Sequence, residues 1–255
     1  MSDSHNPNPA PFAQHWLFDL GNSRFKCAPL HDNTCGPVHL LHTNSTPLPR
    51  GQYAWIASVA NPTQTTALLQ QLQANFSHVQ RVATQKRCLE LTLASSEPEK
   101  YGVDRFLALL AAAQTQQSVL VVGVGTALTL DLIDNTGQHI GGRIAPSPTT
   151  MRQALYLRAK QLAQTGGHYT EFADNTADAL ASGCIGAAIA LIERSIEQAT
   201  YRLARQPQLL LHGGGAEAVL RLLPPDTIYR PFLVLEGLAR WVRHANMMDT
   251  AALSD

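Results

Sequence analysis

The chain predicts an α/β protein of two domains, each a mixed sheet that begins with a three-strand meander and is flanked by helices. Three observations predict it. Two strand–turn–strand segments carry glycine and a hydroxyl residue at the tip: Asp19-Leu20-Gly21-Asn22-Ser23-Arg24-Phe25-Lys26 and Gly123-Val124-Gly125-Thr126-Ala127-Leu128-Thr129. Each is followed by a third strand and then by alternating helices and strands. The polar stretch from Gln114 to Ser118 parts the two halves, which places the first domain at 15–116 and the second at 117–248. The Asn-, Pro- and Ser-containing residues 1–14 read as a disordered tail, and 249–255 as a second tail.

In the first half, Trp16 to Asp19 and Arg24 to Leu30 are the hairpin strands, and Val38 to Thr43 is the third. A Pro-rich loop from Thr43 to Gly51 leads to a strand over Tyr53 to Val59. Asn61-Pro62 is a helix-starting dipeptide. Leu68, Leu69, Leu72 and Phe76 then recur at helical spacing over Thr63 to Phe76, and Val79 to Ala83 is a short strand. Tyr101 to Arg105 lead into an apolar helix beginning Phe106-Leu107-Ala108.

In the second half, Val119 to Val122, Ala127 to Ile133 and His139 to Ala145 are the meander, with a turn at Asn135-Thr136-Gly137. Ser147-Pro148 opens a helix, since serine suits the N-cap and proline the first helical position. Thr176 to Arg205 is one or two helices, Leu209 to His212 a strand ending in three glycines, and Ala216 to Leu223 and Phe232 to Val242 are further helices.

Composition narrows the function. The 255 residues are 45% apolar with a formal net charge of zero, which argues against binding to nucleic acid by bulk phosphate neutralisation. The longest apolar run, Phe106 to Ala113, is far shorter than a membrane span, and no signal peptide is visible, so a soluble cytoplasmic protein is expected. Cys27, Cys35, Cys88 and Cys184 form no C-x-x-C pair, so reduced thiols are expected rather than a disulfide framework or a zinc site.

The glycine turns carry the first chemical signal. A tip of Gly-Asn-Ser or Gly-Thr-Ala can point several backbone N–H groups into one concavity, a nest that attracts anions. Glycine lets the backbone approach a phosphate closely. Ser23 and Thr126 add hydroxyl donors, Lys26 can neutralise a phosphate, and Asp19 can hold magnesium directly or through water. Neither turn is a G-x-x-x-x-G-K-[ST] loop or a G-x-G-x-x-G fingerprint. Asp104 falls at the start of an apolar helix, where the dipole favours a carboxylate that can accept a proton from a hydroxyl. Arg105 beside it is a permanent cation suited to an anionic substrate. The H-x-x-H pair His39 and His42 points to opposite faces of a strand, and Cys184 reads as core.

Together these motifs resemble the type III pantothenate kinases, of the actin-like (ribonuclease H-like) superfamily of acetate and sugar kinases, from about Trp16 to Trp241. Asp19-x-Gly21-Asn22-Ser23-x-x-Lys26 is similar to the first phosphate motif. Gly125-Thr126-Ala127-x-Thr129-x-Asp131 is similar to the second. Gly102-x-Asp104-Arg105 is similar to the substrate and catalytic motif. Gly141-Gly142 with Pro146, Gly213-Gly214 and Leu235-Glu236-Gly237-Leu238 follow in the family's order. The resemblance implies ATP-dependent phosphorylation of pantothenate, the first step towards coenzyme A. It implies Asp104 as proton acceptor, Gly102, Val103, Asp104, Arg105 and Thr176 on pantothenate, and Asp19, Leu20, Gly21, Asn22, Ser23, Arg24, Phe25, Lys26 and Thr126 on ATP. It also implies a homodimer, magnesium, and potassium or ammonium as monovalent cation. The chain departs from the family pattern at Gly123, where an Asp usually helps hold that cation, at Ser95 for a usual Tyr, at Ser147 for Gly and at His212 for Thr. Two other readings share these residues: a kinase for another small hydroxyl substrate, and a nucleotide-binding regulator without kinase activity.

Overall fold

Two sheets share one strand order. The computed structural model describes residues 14–41 and 47–252, with side chains to 247, and its contacts divide into two units, up to Val82 and from Ala83 on.

In the first unit, β1 (His15–Leu20), β2 (Phe25–His31) and β4 (His39–Leu41) form the meander, with a two-residue β3 (Thr34–Cys35) on β2. β5 (Gly51–Ser58) runs parallel to β1, α1 (Pro62–Gln73) follows, and β6 (Phe76–Arg81) runs parallel to β5. Asn61 caps α1 by accepting from the Gln64 amide at 2.9 Å, with Pro62 at the first helical position. Phe76 belongs to β6 rather than to the helix that its spacing suggested. It is buried against Phe18, Leu72 and Ile56, where side chains of this size each contribute roughly 1.5–3 kcal/mol. Tertiary packing on the sheet overrode the helical period. His42 and part of the 43–51 loop lie outside the described residues.

The second unit opens with the small hairpin β7 (Arg87–Cys88) and β8 (Leu91–Thr92), a 3-10 turn at Pro98–Lys100, and α2 (Val103–Ala113). Its meander is β9 (Val119–Val124), β10 (Ala127–Ile133) and β11 (His139–Pro146). Then come α3 (Pro148–Arg158), α4 (Thr176–Leu203), β12 (Gln208–His212), α5 (Glu217–Leu220), β13 (Ile228–Tyr229) and α6 (Leu233–Ala252). β12 lies parallel to β9, and the order β11-β10-β9-β12-β13 matches β3/β4-β2-β1-β5-β6 of the first unit. A doubled order of this kind is the actin-like architecture expected from the sequence.

Three expectations shift. The division falls at Val82 rather than at 116/117, because α2 packs along α6 as well as against β9 and β10. The two helices touch backbone to backbone: a methyl on Gly237 would lie 1.9 Å from the Leu107 carbonyl oxygen. The helix expected over Ala216 to Leu223 is the single turn α5, and α6 continues to Ala252, past the point where the tail was placed. The tail at 1–14 lies outside the described residues except for Gln14. Among the described residues one helix, α4, is long and apolar enough by composition to cross a membrane, longer than the apolar run from Phe106 to Ala113. It packs on the second sheet through Ala188, Ile189, Ile192 and Ala199. All four cysteines are unbridged, and burial pushes the Cys27 thiol up to about 12 and that of Cys88 to about 11.

Candidate active site

Each unit presents its own glycine turn, and the two hold different chemistry. In the first, the Gly21 N–H donates to the Arg24 carbonyl at 3.1 Å, and Asn22, Ser23 and Arg24 stand exposed. Leu20 and Phe25 flank the turn with their side chains in the core, so only their backbone can face a ligand. Asp19 and Lys26 are cross-strand partners, with Nζ 3.1 Å from Oδ2 and both side chains largely buried. One buried carboxylate beside a phosphate turn suits magnesium, which binds through one or two carboxylates plus substrate phosphates. Lys26 would then have to give up that carboxylate oxygen. Among the described residues no group of three or more His, Cys, Asp or Glu is placed to hold a metal by itself.

In the second turn, the Gly125 N–H donates to the Ala127 carbonyl at 2.9 Å, leaving Gly125 and Thr126 exposed. The Thr126 carbonyl accepts from Thr150 Oγ1 at 2.6 Å, which ties the turn to the first turn of α3. Ser147 caps that helix by accepting from the Thr150 amide. Gly123 is buried at the end of β9, with Thr129 opposite it on β10 and His212 opposite it on β12. A methyl there would lie 2.6 Å from Thr129 Oγ1 and 2.8 Å from His212 Nε2. The missing side chain at 123 is thus matched by an imidazole on the neighbouring strand.

The Gly102-x-Asp104-Arg105 motif has a local reason. Gly102 is the N-cap of α2 and brings no side chain to cap it. The Asp104 carboxylate does so instead, accepting from the Arg105 amide at 2.8 Å. A methyl on Gly102 would come within 2.7 Å of that carboxylate oxygen. Asp104 is therefore fixed at the helix N-terminus, where amide donors and the dipole favour its ionised form, and it remains partly exposed.

Arg105 turns the other way, onto the buried carboxylate of Asp131 in β10. Its Nε and Nη2 donate to the two oxygens at 2.8 and 2.6 Å, and its guanidinium lies 4.3 Å from the Tyr101 ring centroid. The Tyr101 hydroxyl and His139 Nε2 reach the same Asp131 oxygen at 2.9 and 3.1 Å. Burial alone would raise the Asp131 pKa, but the hydrogen bonds from His139 and Arg105 outweigh it and hold the carboxyl below its ordinary value. Burial would lower that of Arg105, and its bonds to Asp131 raise it instead. Tyr101 is held neutral by burial first and by Asp131 second. Gly142, opposite Asp131 on β11, makes the space: a methyl there would meet Asp131 Oδ1 at 2.1 Å and Arg105 Nη2 at 2.8 Å.

Thr176 is exposed at the first position of α4, capped by Asn175. Ala179 and Gly183, one and two turns on, line an open apolar cleft of about 500 Å³ shared with Met151 and Leu155 of α3.

The chain is similar to known proteins. The family model for type III pantothenate kinase matches residues 16–198. A type III pantothenate kinase of Stenotrophomonas maltophilia is 58% identical over 237 residues, covering 90% of this chain and 97% of the relative. One from Xylella fastidiosa is 54% identical over 234 residues, covering 89% and 96%. The chain belongs to the type III pantothenate kinase family. Among solved structures, a Campylobacter jejuni protein proposed as a Baf family transcriptional activator is similar in fold, with a TM-score of 0.63 at 22% identity over 91% of this chain and 99% of that one.

Within the second unit, Arg105 and Gly142 meet at Asp131, Gly123 lies between Thr129 and His212, and the Thr126 turn is tied to α3. Sequence reasoning missed the partners of Arg105. Asp131 stood in the second phosphate motif without a role, and neither Tyr101 nor His139 carried a signal. A buried carboxylate two residues beyond Thr129 in an otherwise apolar strand was the signal available.

Proposed function

We propose that this chain transfers the terminal phosphoryl group of ATP to the primary hydroxyl of pantothenate, giving 4'-phosphopantothenate. The observation that carries the reading is the Asp104 carboxylate held at the N-terminus of α2, next to a guanidinium clamped by Asp131. Phosphoryl transfer asks little covalent chemistry of a protein and much positioning. Asp104 accepts or orients the hydroxyl proton. Gly102, Val103, Arg105 and Thr176 contact pantothenate, Val103 through its backbone because its side chain is buried. The turn from Asp19 to Lys26 and the hydroxyl of Thr126 contact ATP. Asp19 would hold magnesium together with the nucleotide phosphates, and the ion would supply charge neutralisation. The working unit is a cytoplasmic homodimer.

The monovalent cation is the point of departure. With glycine at 123, no carboxylate stands where relatives place one, and His212 lies against that position. Activity here depends less on potassium or ammonium than in a variant carrying Gly123→Asp.

The test is ATP-dependent production of phosphopantothenate, with and without potassium, by the wild type and by Asp104→Asn. General acid–base groups contribute about 10²- to 10⁴-fold, so the variant loses that much turnover while ATP still binds. Unchanged turnover removes Asp104 from the role. A preference for an acceptor lacking the pantoyl group redirects the substrate, and ATP binding without ADP formation would mean a nucleotide-binding regulator.

A further inference from the structure

We infer that Asp131 is a positioning residue for pantothenate, acting through Arg105 and through the backbone at Ala94–Ser95. The inference rests on the reading above that Arg105 contacts pantothenate. Asp131 is 3% exposed and accepts four donors: Arg105 Nε and Nη2, the Tyr101 hydroxyl and His139 Nε2. The bidentate pair fixes the plane of the guanidinium, and the Tyr101 ring closes one face of it at 4.3 Å. Two of the five guanidinium N–H donors are spent on Asp131, which leaves the others free to vary only with the plane already set.

His139 extends the same carboxylate in the opposite direction. Its Nδ1 accepts from the Ala94 amide at 3.4 Å, so its Nε2 carries the proton and donates to Asp131. Ala94 and Ser95 lie on the segment that leads to Tyr101 and the start of α2. The segment is further tied down by Lys86 Nζ on the Ser95 carbonyl, by Gln138 Nε2 on the Thr92 carbonyl and by Thr84 Oγ1 on the Tyr101 carbonyl. One buried carboxylate thus sets both the cation at the start of α2 and the backbone ahead of it. A carboxylate kept only for stability needs neither a bidentate arginine at the head of the catalytic helix nor a histidine relay to a loop amide.

The test is a double-mutant cycle read on both substrates. Arg105→Lys keeps the charge and loses the bidentate fork. Charge-assisted hydrogen bonds are worth enough that Asp131→Asn should raise the KM for pantothenate about 10- to 100-fold, with the KM for ATP nearly unchanged. Arg105→Lys should raise it comparably, and the double variant should be no worse than the poorer single, because both remove one arrangement. Independent, multiplying effects, or equal effects on ATP and pantothenate, would reduce Asp131 to a structural residue. If Arg105→Lys leaves the pantothenate KM unaltered, the assignment of Arg105 itself falls and takes the inference with it; if Arg105→Lys raises it and Asp131→Asn does not, only the inference falls. Should Asp131→Asn not fold, Tyr101→Phe and His139→Gln decide. Each removes or replaces one donor on Asp131 and should raise the pantothenate KM by a few-fold, and no change in either overturns the proposal.

Discussion

The ends of β1 and β9 occupy the same place in two sheets of the same order, and they carry opposite chemistry. Across the first, the row reads Lys26, Asp19, Ala57; across the second it reads Thr129, Gly123, His212. The first puts a carboxylate on the central strand and its cation on the antiparallel neighbour. The second empties the central strand and places an imidazole on the parallel neighbour, whose Nε2 would lie 2.8 Å from any Cβ at 123. The backbone frame is repeated, and the side chains that work on it are not. A glycine turn therefore does not dictate the charge beneath it; the charge follows from which of three adjacent strands has room for a side chain.

The contrast predicts unequal consequences for matching substitutions. The largest belongs to Asp19→Asn, which removes the buried carboxylate beside the first turn and, on the proposed reading, the protein's share of a magnesium site. Losses of electrostatic groups at such positions run to about 10²-fold or more, so kcat/KM for ATP should fall by at least that, with the apparent magnesium requirement rising. A variant that still responds normally to magnesium would place the metal elsewhere.

Next is Gly123→Asp, which rebuilds in the second row what the first already has. The new side chain overlaps Thr129 Oγ1 and His212 Nε2. Overpacking of this kind costs about 1–3 kcal/mol, visible as a lower urea midpoint. Adding His212→Thr vacates the space, so the double variant should recover much of the stability and show stronger stimulation by potassium than the wild type. Additive loss in the double variant would show that His212 is not what fills the site.

Acid titration separates Asp131 from the surface carboxylates. Its folded-state pKa is lowered, so its stabilisation is fully present above the unfolded value of about 3.9 and is lost as pH falls through the folded value. The stability difference between wild type and Asp131→Asn should accordingly narrow below about pH 4. A constant gap in urea titrations from pH 6 down to 3 would contradict the paired, ionised state. The smallest effect is expected from Lys26→Met. It removes the cation from the first row while sparing the carboxylate, and should weaken ATP binding by a few-fold, an effect that shrinks at high salt.

Much of the frame was legible because strand and turn signals are local. The meanders, the Asn61 and Ser147 caps and the helix after Gly102 follow from apolar period and from residues that satisfy helix-end amides. Phe76 was misplaced because a buried aromatic suits either a helix face or a sheet, and only its packing against Phe18 decides. The division at Val82 was equally out of reach. Whether α2 belongs to the meander before it or to α6, about 130 residues later, depends on a helix contact allowed by Gly237.

For the candidate site, sequence alone singled out the groups proposed to touch ligand: the two glycine turns, Asp104 at a helix start and the cation next to it. Those roles are set by residue type and short spacing. Only the tertiary structure decided what holds them. Arg105 and Asp131 lie 26 residues apart, Gly123 and His212 89 apart, and their partnership comes from strand register and from the absence of a side chain at Gly142 and Gly123. Register is a property of paired strands rather than of any one segment. That is why the missing carboxylate at 123 could be read from the chain, while the imidazole that takes up its space could not.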